Sequence, residues 1–133
     1  MKLVPELKLW FAELLESTPV SSEVRPYLLQ VLTRQRFADF EQNSIILATA
    51  GANTFLDHQN IGDYAVWKSS FHQGYLNQMV VESCGRRAYH QCYIMLGRRV
   101  DVYEALADEL PIVTRERHMR LNDEFTTHVF IDA

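Results

Sequence analysis

The chain reads as a mainly α-helical single domain, a helical bundle around a long central helix at about 63–96 with a short C-terminal β-strand or hairpin. Three observations predict this. Tyr64, Trp67, Phe71 and Tyr75, followed by Gln78 and Met79, recur at the three-and-four spacing that places side chains on one helical stripe. Asp101 with Glu104 three positions later has the form of a capping box ahead of an apolar run. A content of 47% hydrophobic and 23% charged residues over 133 positions is that of one folded domain. No repeat, low-complexity run or linker divides residues 1–133.

Pro5 suits the first position of a helix, where its missing N–H costs nothing, and Leu7, Trp10, Phe11, Leu14 and Leu15 follow at helical spacing. This helix is expected to end near Ser17, because the residue before Pro19 is pushed out of the helical region. A second helix is expected from Pro26, with Ser21 or Ser22 as the alternative cap of an earlier turn. Leu28, Leu29, Val31 and Leu32 form its apolar face, and Phe37 and Phe40 belong to it or to a third element. From Gln42 to Leu56 no residue carries a formal charge. A short buried strand over Ser44–Thr49 competes there with a helix, and the length of the uncharged run favours helix.

Asp57–Gly62 has the composition of a loop, after which Asp63 is expected to cap the central helix. Gly85 is a candidate break within it, since glycine costs about 1 kcal/mol relative to alanine inside a helix. Val80, Cys84, Ala88 and Cys92 make a second apolar stripe. Gly97 is a plausible helix stop, and the helix from Asp101 is expected to reach Leu110 and end at Pro111. Thr126–Ile131, rich in β-branched and aromatic residues, reads as a strand paired with His118–Leu121 across Asn122–Asp123, or with another chain.

Catalytic and metal-binding signatures are sparse. Cys84, His90 and Cys92 are the right residue types for zinc, yet on one helix His90 falls off the face shared by the cysteines, and no paired ligand motif accompanies them. The two cysteines would lie about 12 Å apart on a helix, beyond disulfide reach. Core thiols are the simpler account. His58, His72, His90, His118 and His128 lack a nucleophile elbow, phosphate loop or close carboxylate pair to work with. No catalytic residue, cofactor or metal site is therefore assigned.

Charge is more informative. After Lys68 every basic residue is arginine: Arg86, Arg87, Arg98, Arg99, Arg115, Arg117 and Arg120. Arginine is enriched in protein interfaces and lysine depleted, so these residues, with Val129 and Ile131 of the terminal strand, are the candidate contact residues. A net charge of -4 and the acidic residues interleaved among the arginines make nucleic acid the weaker alternative. The charge-free, amide-containing stretch Ser69–Val81 suits either a polar interface or a polar core layer. Met1–Lys8 resembles neither a signal peptide nor a membrane span, so the expected location is the cytoplasm or a particle assembled there.

The function expected is that of a non-enzymatic structural or adaptor subunit acting through protein partners or self-association in a larger assembly, of which a viral particle component is one instance. The alternatives are a small His/Cys-dependent enzyme and a nucleic-acid-binding regulator.

Overall fold

The computed structural model describes residues 2–3, 5–33, 45–71, 78–115 and 130–131. These form α1 (Pro5–Ser17), α2 (Val24–Leu32), α3 (Ile45–Gly51), α4 (Phe55–Phe71), α5 (Gln78–Met95) and α6 (Asp101–Arg115). At the ends of the chain, β1 (Lys2–Leu3) and β2 (Phe130–Ile131) pair antiparallel, Lys2 opposite Ile131 and Leu3 opposite Phe130. The protein is thus mainly helical. This two-residue ladder does not establish the strand expected over Thr126–Ile131, because residues 126–129 and the suggested partner 118–121 lie outside the described residues.

The most enclosed element is α4. Seven consecutive residues, Ile61 to Trp67, are buried, so both sides of the helix face protein. It packs against α5, which packs in turn against α6, while α2 closes over α4 and is itself covered by α1. Phe11 and Leu15 from α1, Leu28 and Leu32 from α2, Ile61 and Tyr64 from α4, Tyr89 from α5, and Leu106 and Leu110 from α6 fill one continuous core. Each such side chain removed from water contributes about 1.5–3 kcal/mol.

Several sequence expectations are corrected. The segment 57–62 is helical, not a loop, because α4 begins at Phe55. Its cap is Thr54, whose Oγ accepts from the Asp57 N–H at 3.1 Å while Asp57 Oδ2 accepts from the Thr54 and Asn53 N–H groups. That reciprocal box anchors the helix two turns before Asp63, which is therefore internal to α4 and caps nothing. The described residues of the expected 63–96 helix fall in α4 and α5, with 72–77 outside the described residues.

Gly85 does not break α5, which runs through it. A Cβ there would stand 2.7 Å from Ala65 Cβ and 2.6 Å from Leu110 Cδ2, so the glycine is a point of close approach for α4 and α6. Gly62 has the same role on α4, facing the Tyr89 ring. Pro111 does not end α6, which continues to Arg115. The second helix starts at Val24, placing Pro26 inside its first turn, where proline is tolerated. The uncharged run takes the helical alternative as α3.

Gly97 does stop α5. With φ of 71° it lets the Gly97 N–H reach Ile94 O and the Arg98 N–H reach Tyr93 O, both at 2.9 Å, the paired bonds of a Schellman motif.

Candidate functional site

The core holds a polar cluster. Asp63 is 1% exposed, and its Oδ1 accepts hydrogen bonds from Tyr27 Oη at 2.7 Å and Tyr89 Oη at 2.8 Å. One carboxyl oxygen thereby ties α2 and α5 to α4. Around it the tyrosine rings meet edge-on: Tyr27 lies 6.0 Å from Tyr89 and 5.8 Å from Tyr103, centroid to centroid. Tyr103 Oη accepts from Gln59 Nε2 at 2.8 Å, extending the network to α6. Burial, followed by the nearby Asp63 charge, raises the Tyr27 and Tyr89 hydroxyls well above the ordinary tyrosine range. Both therefore remain donors at any ordinary pH.

Chemically this cluster is a pair of hydrogen bonds converging on one carboxylate oxygen, enclosed by aromatic rings. Cys92 lies nearby, its Sγ 3.9 Å from Phe55 O, and burial pushes its thiol up to about 12, the opposite of what a nucleophile needs. Cys84 is half-buried and His90 is exposed, so the three residues considered for zinc do not share one environment. Among the described residues no group of three His, Cys, Asp or Glu side chains is placed to hold a metal ion.

The surface carries the other features. Arg87, Arg98 and Arg99 are exposed, and Arg98 adopts the left-handed conformation at φ 59° that brings the chain round from α5 to α6. Arg86, also exposed, turns its Nε toward α6 and donates to Ala107 O at 3.0 Å. Arg115 closes α6 and Ile131 lies in β2, while Arg117, Arg120 and Val129 lie outside the described residues. Of the candidate contact residues, then, Arg87, Arg98 and Arg99 are brought to the surface, and Arg86 makes a contact within the fold.

The sequence reading missed the exposed apolar residues. Leu56 is 60% exposed at the start of α4, and Ile94, Met95 and Val100 are exposed at the end of α5 and in the turn after it. The Cys92–Phe55 contact brings the start of α4 to the end of α5. Leu9, Ile46, Leu47 and Met79 are exposed as well. Arginine and methionine are residue types enriched in protein interfaces.

A shallow groove of about 220 Å³ between α6 and the α1–α2 connection is lined by Ser21, Glu23, Asp101, Glu104, Asp108 and Glu109. Glu109 Oε1 accepts from both the Ser21 N–H at 2.7 Å and its hydroxyl at 2.9 Å, so this carboxylate has a docking role within the fold. No described helix is long and apolar enough to cross a membrane.

In comparison with known proteins, the chain matches no family model, and no curated protein or solved structure is significantly similar to it.

Proposed function

We propose that the protein is a non-enzymatic structural or adaptor subunit, acting through protein contacts in a larger assembly such as a viral particle. The observations that support this reading are the exposed apolar side chains Leu56, Ile94, Met95 and Val100 together with the exposed Arg98 and Arg99, carried by α4, α5 and the turn after it. Exposed apolar residues are ordinary singly, whereas arginine and methionine are enriched in protein interfaces. The finer elements of this reading are self-association or a protein partner, contacts through the arginines and terminal strand, and a cytoplasmic site of assembly.

Native mass measurement of the purified protein with whatever copurifies tests it. The expected result is a complex larger than the monomer, either of this chain alone or with another protein in fixed ratio. A monodisperse monomer at micromolar concentration, with no copurified chain, would overturn the reading. Copurified nucleic acid released by salt would replace it with the nucleic-acid-binding alternative.

A further inference from the structure

Proline inside a helix removes one N–H and presses its ring on the carbonyl four residues back, at a cost of about 3 kcal/mol or more. In α6 that proline is Pro111, and the carbonyl is that of Ala107. In an uninterrupted helix the N–H of residue 111 would donate to Ala107 O. Ala107 is only 6% exposed, so water is a poor substitute for the missing donor. The oxygen is instead reached from a different helix, by the Nε–H of Arg86 at 3.0 Å.

We propose that Arg86 is a conformational clasp, whose Nε–H replaces the backbone donor that Pro111 removes and so holds the continuation of α6 against α5. A guanidinium suits this task because it is always charged and presents its Nε–H in a fixed plane at the end of a long stem. The same bond spans the α5–α6 contact, so the residue joins two helices while repairing one. Arg86 thereby has its Nε–H committed within the fold, whereas Arg87, Arg98 and Arg99 are exposed. This inference does not depend on the assembly reading.

The test is a double-mutant cycle on the full chain, read by denaturant unfolding. Arg86→Met keeps the apolar stem and removes the donor, and it lowers the folding equilibrium constant roughly 10- to 150-fold, the worth of a hydrogen bond from a charged group. Pro111→Ala restores the N–H of residue 111. In that background Arg86→Met lowers the constant by no more than about threefold, since Ala107 O then has its helical partner. Equal losses in the two backgrounds would overturn the proposal. If Arg86→Met alone does not fold, the double variant must recover a cooperatively folded helical protein, and its failure to do so overturns the proposal equally.

Discussion

Leu56 and Asp63 lie on the same helix, seven residues and two turns apart, and each has the environment usually given to the other. The carboxylic acid is 1% exposed in the core, whereas the leucine is 60% exposed. Hydrophobic residues at the surface are common and charged residues in the interior are rare, so the informative member of the pair depends on what surrounds it. Asp63 is accounted for within the chain, because Tyr27 and Tyr89 bring donors to it from two other helices. Leu56 is not so accounted for, and its exposure is the reason to look outside the chain. The inner site holds helices together, while the exposed leucine is where the proposed partner contact can be tested.

The largest effect expected from breaking this contrast comes from Asp63→Ala. It leaves the Tyr27 and Tyr89 hydroxyls buried without their acceptor, each at a cost of about 1–3 kcal/mol. Urea unfolding should show a loss of several kcal/mol, and a midpoint unchanged from the parent would mean that the cluster contributes nothing. A smaller effect follows from pH. The folded-state values of Tyr27 and Tyr89 are raised above the unfolded tyrosine value of about 10. The unfolded chain therefore releases these protons first as pH rises, so their contribution is complete below pH ~10 and is lost above it. Unfolding midpoints measured from pH 8 to 11 should hold steady and then fall, with a shallower fall in Tyr27→Phe. The smallest effect on stability, within about 0.5 kcal/mol, belongs to Leu56→Glu, a substitution at an exposed site. The same variant should nevertheless lose the larger complex in light scattering, and retention of that complex would detach Leu56 from assembly.

The helical class and the stop at Gly97 were legible because each is written in residues close along the chain, whereas of the expected stripe Met79 is exposed and Tyr75 lies outside the described residues. Tyr64 and Trp67 are indeed buried and stacked, their centroids 6.4 Å apart. The start of α4 was misread because Asp57, His58, Gln59 and Asn60 have turn composition, while the Thr54–Asp57 box that makes them helical has no glutamate to announce it. Pro111 was misread as a terminator for a different reason. Its local cost is real, and the residue that meets it, Arg86, is on another helix.

The same division runs through the candidate sites. Residue type and order alone determined that every basic residue after Lys68 is an arginine. Which arginine faces solvent, and which bonds to a carbonyl, was decided by how α5 lies against α6. Asp63 gave no sign in the sequence of being anything but a cap. Its burial depends on Tyr27 and Tyr89, 36 and 26 positions away, and periodicity along one helix carries no information about donors arriving from two others. Local composition set the secondary structure wherever hydrogen bonds close within a few residues. The placement of a charge in the core, and of leucine and methionine at the surface, came only from the packing of helices distant in the chain.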